Sequence, residues 1–314
     1  MIPDKQTIIL AADNIKPYIH RTPVLTSESL NKLTGCDLYF KCENFQKTGS
    51  FKIRGAMNAV LSLTKDELKK GIVTHSSGNF AQALAYASLR GAGAKAKIVM
   101  PENVIPLKHD AVLGYGAEII YSGNMPLDRE NKCSEVINET GASFIHPSND
   151  IRVITGHSSS AIELINDTED LDFVFCPIGG GGLISGISIG FSHFSSKTKI
   201  IGAEPLNADD AYQSIRAGKI IPQTNPNTIA DGLRTSLGDV TFPLIQKYVS
   251  EIIRVSEEEI KNAMKLIWER MKIVVEPSGA VSFAALIQKS SEFKNKKTGI
   301  IVSGGNLDTS KINI

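Results

Sequence analysis

Three short segments of this chain carry residue types that can do chemistry. The first is Gln46-Lys47-Thr48-Gly49-Ser50-Phe51-Lys52-Ile53-Arg54-Gly55-Ala56. A lysine amine attacks a carbonyl only after losing its proton, and apolar neighbours such as Phe51 and Ile53 favour the neutral form by desolvation. Taken alone, a lysine in so basic a segment reads equally well as a solvated surface residue. The second segment is Gly179-Gly180-Gly181-Gly182, placed between the apolar run Asp172 to Ile178 and the apolar stretch that opens at Leu183. Glycine permits positive φ and removes the side chains that would hold a phosphate away, and backbone N–H groups at a helix start suit a dianion. A flexible turn is the plainer alternative. A dinucleotide fingerprint can be forced onto these glycines, but no acidic residue follows at the ribose-binding distance. The third is Ser76-Ser77-Gly78-Asn79, which follows Ile72-Val73-Thr74. Hydroxyls, an amide and free N–H groups at a helix start can clamp a carboxylate, and an ordinary N-cap accounts for them as well.

These segments must be positioned by an α/β scaffold. Short β-branched runs alternate with amphipathic stretches, the pattern of parallel sheets. Strands are expected at Lys97 to Met100, Glu118 to Tyr121, Asp172 to Ile178, Lys199 to Ala203 and Gly299 to Val302. Ser256 and Glu259 form a capping box that opens a helix running to about Met271. The stretch from about Gly71 to Phe144 has its own strand–helix alternation. The reading is a small domain, 69–149, inserted into a large one made of 1–68 and 150–314.

The 314 residues include 34 basic and 33 acidic ones. So even a balance gives no electrostatic reason to expect nucleic acid or an anionic membrane. Cys36, Cys42, Cys133 and Cys176 show no metal or redox spacing and are expected as reduced thiols. No apolar stretch approaches the roughly 20 residues of a membrane span, and the start lacks a signal-like pattern, so a cytoplasmic location is expected. His20, His75, His109, His146 and His193 fit no metal spacing and are most simply surface or packing residues.

Gly49-Ser50-Phe51-Lys52, Ser76 to Asn79, the tetraglycine and Ser303-Gly304-Gly305-Asn306, in that order, resemble the fold-type II pyridoxal-phosphate enzymes of the serine racemase and serine/threonine dehydratase family. The resemblance implies a tryptophan synthase β-like fold: two open parallel-sheet domains with the cofactor in the cleft. It implies that Lys52 carries the cofactor as a Schiff base and removes the Cα proton. Phe51, Gly179 to Gly182, Leu183, Asn79 and Ser303 would complete the cofactor site. Asn79 would bond the 3′ oxygen and Ser303 would face the pyridine nitrogen. Ser76, Ser77, Gly78 and Asn79 would bind the substrate carboxylate, and Ser77 matches the racemases' second acid/base. Glu204, Ala208 and Asp210 match a divalent-cation site for magnesium, manganese or calcium. Arg129 and Ser236 match substrate-side positions, and an inward Arg129 would favour a second carboxylate.

Two positions depart from the pattern. Phe80 stands where most relatives have histidine, and Gly156-His157-Ser158-Ser159 stands where they have a Gly-Gln-Gly-Thr segment. Both would alter polarity near the cleft. An interfacial ATP site is open: Lys47, Thr48, Gln82, Tyr115 and Lys272 fit it, whereas Ser148 and Glu28 depart from it. The expectation is a homodimeric enzyme acting on a small amino acid, by β-elimination and racemisation of serine. A threo-3-hydroxyaspartate dehydratase and a threonine dehydratase are the nearest alternatives. A non-catalytic cofactor binder and a nicotinamide dehydrogenase are the readings from other classes.

Overall fold

The computed structural model describes residues 2–104 and 106–308. Among the described residues ten strands form two sheets: β1 Val24–Leu25, β2 Asp37–Cys42, β3 Ile72–His75, β4 Ala96–Pro101, β5 Glu118–Ser122, β6 Ser143–Phe144, β7 Phe173–Pro177, β8 Lys199–Pro205, β9 Val249–Val255 and β10 Lys297–Val302. The larger sheet has the order β1-β2-β10-β7-β8-β9, and only the β1–β2 pair is antiparallel. The smaller sheet, β5-β4-β3-β6, is wholly parallel.

Alternation along buried strands sorts the core into layers. On the larger sheet, Phe40, Phe175, Ile300 and Val302 pack with the helices Glu257–Met271 and Pro277–Gln288. Val174, Cys176 and Ile301 turn the other way, onto Ile151–Asp167 and Gly182–Phe194. On the smaller sheet, Val73 and Val99 meet Cys133 and Val136 of the helix Pro126–Thr140. Ile72, Ile98 and Met100 share the opposite cluster with Phe80 and Leu84, and with Ile53, Met57 and Val60 of the helix Lys52–Leu61. The helix that begins with Lys52 is therefore the joint between the two layers.

That helix lies unusually close to Ile151–Asp167. A side chain on Gly156 would collide with the Arg54 carbonyl, and one on Gly55 would sit 2.7 Å from the Val153 carbonyl. The expected strands are all present, with ends shifted by a residue or two. The box at Ser256 forms as read, Ser256 accepting from Glu259 N and Glu259 from Ser256 N. All four cysteines are free and buried. Among the described residues no helix is long and apolar enough to cross a membrane.

Candidate active site

Ser76 to Asn79 follow β3, the tetraglycine follows β7, and Ser303 follows β10. All three segments therefore stand at carboxyl ends of parallel strands, where open α/β sheets bind ligands. Side-chain contacts tie them to Lys52. The half-buried Lys52 donates from Nζ to the Pro147 carbonyl at 3.0 Å. Its nitrogen lies 5.0 Å from the ring centre of Phe51 and 5.7 Å from that of Phe80. Burial lowers its pKa to about 8, against an opposing pull from Glu276. A useful fraction of neutral amine is therefore present near neutral pH.

The residue after Pro147 touches the glycine cup. A Cβ on Gly180 would collide with Ser148 Oγ, and one on Gly182 would lie 2.9 Å from the Ser148 carbonyl. Gly181 has φ +80°, and a Cβ there would meet Thr241 at 2.8 Å. The first turn of Gly182–Phe194, including buried Leu183, has N–H groups without intrahelical acceptors. Lys52 and this cup are thus joined through two consecutive residues.

Asn79 is the first residue of the helix Asn79–Ala87, which no side chain caps. The N-cap reading of Ser76 and Ser77 therefore fails. Ser76 Oγ accepts from Gly78 N at 3.3 Å. Ser77 Oγ accepts from Arg129 Nη1 at 3.3 Å. The half-buried Arg129 has its pKa lowered by burial, and its Nε is buried without a partner. Among the described residues no carboxylate forms an ion pair with it.

Both polar ends of Asn79 are engaged: Nδ2 donates to Glu276 Oε1 at 2.7 Å, and Oδ1 accepts from Asn306 Nδ2 at 2.9 Å. Phe51 N donates to the carbonyl of buried Ser303 at 3.1 Å, and Ser50 pairs with Gly304. Ser236 lies beside the cup, its hydroxyl accepting from Gln223 N at 2.8 Å.

The acidic loop stands on the far side of the cup. Glu204 accepts from Ala211 N and Tyr212 N at 3.1 and 2.8 Å. Asp210 Oδ2 accepts from Leu237 N at 2.9 Å, while Oδ1 is buried and unpartnered. Burial raises both carboxyls, Asp210 to about 7. Ala208 is fully buried between them in sequence. Among the described residues no three His, Cys, Asp or Glu side chains cluster as a ready-made metal cage.

Several participants carried no sequence signal that was used. Glu276, whose pKa burial raises to about 8, sits in Glu276-Pro277-Ser278-Gly279, an acidic residue before proline at a helix start that could have flagged it. Lys108 forms an ion pair with Asp231 from the opposite layer. His146 is more than packing: Nδ1 accepts from Ser148 N and Asn149 N, and burial lowers its pKa to about 4. The two departures part company. Phe80 faces Lys52, whereas His157 is fully buried behind Phe51, their ring centres 4.8 Å apart, and does not open onto the cleft.

Residues 15–304 match the family described as Pyridoxal-phosphate dependent enzyme. The chain belongs to that family. Serine racemase of Dictyostelium discoideum is 48% identical to this pyridoxal-phosphate enzyme, over 96% of this chain and 94% of its own. Beta-hydroxyaspartate dehydratase of Paracoccus denitrificans (strain Pd 1222) is 46% identical, covering 99% and 98%. The solved structure of maize serine racemase superposes with a TM-score of 0.95 at 44% identity, covering 99% and 95%. The fold is accordingly the fold-type II arrangement of two parallel-sheet layers. The cradle that a Cβ would fill at Gly180 to Gly182, with a deprotonatable Lys52 beside it, fits a phosphate-bearing aldehyde cofactor.

Proposed function

We propose that this enzyme eliminates water from a small 3-hydroxy amino acid, yielding a 2-oxo acid and ammonia, and that it favours a substrate with a second carboxylate. Bound pyridoxal phosphate supplies the electron sink that lets the Cα proton leave. Lys52 holds the cofactor and, once free, takes that proton with its amine. The N–H groups of Gly179 to Gly182 and Leu183 hold the phosphate. Phe51 would wall the site, Asn79 would hold the ring oxygen, and Ser303 would face the ring nitrogen. A hydroxyl there does not keep the nitrogen protonated as a carboxylate would, which favours prompt loss of the β-hydroxyl. Ser76, Ser77 and Gly78 grip the α-carboxylate, and Ser236 borders the substrate side.

Arg129 carries the preference for a second carboxylate. A half-buried guanidinium with an unpartnered Nε and no carboxylate partner is a costly group to leave open, and a β-carboxylate would satisfy it. Turnover should be compared on L-serine, D-serine, L-threonine and threo-3-hydroxyaspartate, with keto acid and enantiomer followed together. Arg129→Ala should cost roughly 10- to 100-fold on threo-3-hydroxyaspartate, the worth of a charge-assisted hydrogen bond. Losses of the same size on serine would make Arg129 structural.

Racemisation of serine is the second reading. It is favoured by the Ser77 hydroxyl held by Arg129, and by the 48% identity to a serine racemase. The same proposal covers a magnesium, manganese or calcium ion at Glu204, Ala208 and Asp210, a homodimer, ATP as a further ligand, and a division into 69–149 and the remainder.

A further inference from the structure

Behind Lys52 lies a buried set of four charges that the reaction itself does not use. Lys41 ends in the interior from β2, and Glu43 follows directly in the turn after that strand. Arg54 comes from the first turn of the lysine helix, and Glu163 from Ile151–Asp167. The side chains of Lys41, Glu43 and Arg54 are fully buried, and that of Glu163 is 13% exposed. Two cations and two carboxylates leave the set neutral.

Every donor direction of the Arg54 fork is used. Nε and Nη2 grip Glu43 at 2.7 and 2.9 Å. Nη1 and Nη2 grip Glu163 at 2.8 and 2.7 Å. Ser159 Oγ and Thr22 Oγ1 accept at 3.1 and 3.2 Å. Lys41 Nζ closes the set on Glu163 and on the Thr22 carbonyl, each at 2.7 Å. Burial is the largest single influence on the Glu43 carboxyl and would raise it, but the charge and hydrogen bonds of Arg54, with Lys41 and Thr22, together outweigh it and hold it below its ordinary range.

Such a set is a poor source of stability, because a well-packed apolar replacement often does as well. What it does provide is direction. Side chains two positions apart on a helix point about 200° away from each other. Arg54 therefore anchors the back of the turn whose front presents Lys52. The planar fork resists rotation of that turn about its axis in a way that a point charge does not.

We propose that Arg54, clamped by Glu43 and Glu163, is a positioning residue that fixes the direction of the Lys52 amine. The inference rests on Lys52 being the cofactor lysine. Two variants test it: Arg54→Lys, and the neutral pair Arg54→Met with Glu43→Leu. Phe293→Leu, a core change elsewhere, serves as the control, compared at a temperature where all three are folded by circular dichroism.

Misplacing a reacting group by 1 Å costs about 100-fold, so kcat should fall by about that factor while KM changes by less than about threefold. The pH midpoint of the visible absorbance of lysine-bound cofactor should move in both Arg54 variants and stay in place in Phe293→Leu. A pair variant that does not fold leaves Arg54→Lys to decide. Normal kcat and an unmoved midpoint in folded Arg54→Lys would overturn the inference. Borohydride reduction of the wild type separates the two failures: a label on another lysine removes the underlying assignment, and this inference with it.

Discussion

Behind Lys52, on the larger-sheet side of the cleft, each charge has its answer: Arg54 binds two carboxylates and two hydroxyls, and Lys41 completes the set. Across the cleft, on the smaller-sheet side, Arg129 donates only to Ser77 among the described residues and keeps a buried Nε without a partner among them. Both arginines lie in the first turn of a helix and both are wholly or half buried. Closed hydrogen bonding fixes a group in place, whereas open hydrogen bonding near a site waits for something to bind. On the proposed function, Lys52 and the cup on the larger-sheet side would serve every turnover, and Arg129 on the smaller-sheet side would distinguish one substrate from another. Changes on the first side should act on all substrates alike, and changes on the second should discriminate.

The largest expected effect is on the common side. Lys52→Ala should abolish covalent cofactor attachment and turnover of every substrate, and borohydride with peptide mapping should label Lys52 in the wild type. The lowered pKa of about 8 adds a pH signature. Only the neutral amine reacts, so capture of added cofactor by cofactor-free protein should level off above pH 8. Below that it should slow by about tenfold per pH unit. A capture rate that is flat between pH 6 and 8 would contradict the burial of this amine.

The tetraglycine and the strands that lead to it were legible from local rules, since β-branched runs mark the strand ends and four glycines before a helix favour a phosphate cup over a plain turn. The lysine segment became legible only through the resemblance, because its local sequence reads equally well as solvated surface. Glu276 and the Lys108–Asp231 pair were missed because contacts between residues far apart in sequence define them. His146 bonds locally to Ser148 N and Asn149 N, and what was missed is its burial, which only the tertiary fold sets. His157 misled for the opposite reason. The segment was expected to alter polarity near the cleft, but helix periodicity turns His157 inward onto Gly55 and Phe51. Arg129 could be named from the resemblance, while its unpartnered nitrogen is visible only in three dimensions.

On the discriminating side, Ser77 separates the two readings of the reaction. As the proposed base, Lys52 would reach one face of the substrate Cα, so inversion would need a second proton carrier on the other. Ser77→Ala should lower serine racemisation and D-serine elimination by about 100-fold or more, the usual worth of a general acid/base. Elimination from L-serine through Lys52 should survive at a reduced rate. If both enantiomers lose equally and mainly in KM, Ser77 is a carboxylate clamp alone. Wild-type protein that leaves D-serine untouched would remove the racemase reading.

The smallest effect concerns the acidic loop, and it tests the comparison from outside the cleft. Glu204 and Asp210 are carboxyls that burial pushes toward the neutral form, Glu204 with a further push from Asp210, and Asp210 Oδ1 has no partner, so a divalent cation would stabilise their ionised forms and occupy the open oxygen. Asp210 also accepts from Leu237 N, and Leu237 packs where a Cβ on Gly181 would lie, 2.9 Å away. The loop therefore backs the cofactor side. A cation at 100 times its dissociation constant adds about 2.7 kcal/mol to stability by mass action. Chelator should lower the melting temperature by several degrees, and magnesium or manganese should restore it. Cofactor affinity should weaken with it, while the ratio of turnover on serine to that on threo-3-hydroxyaspartate stays constant. Glu204→Ala should melt low and ignore both chelator and metal. A variant that melts like the wild type under all conditions would reduce the loop to an acidic turn. A chelator that changes the substrate ratio would instead break the division between the two sides.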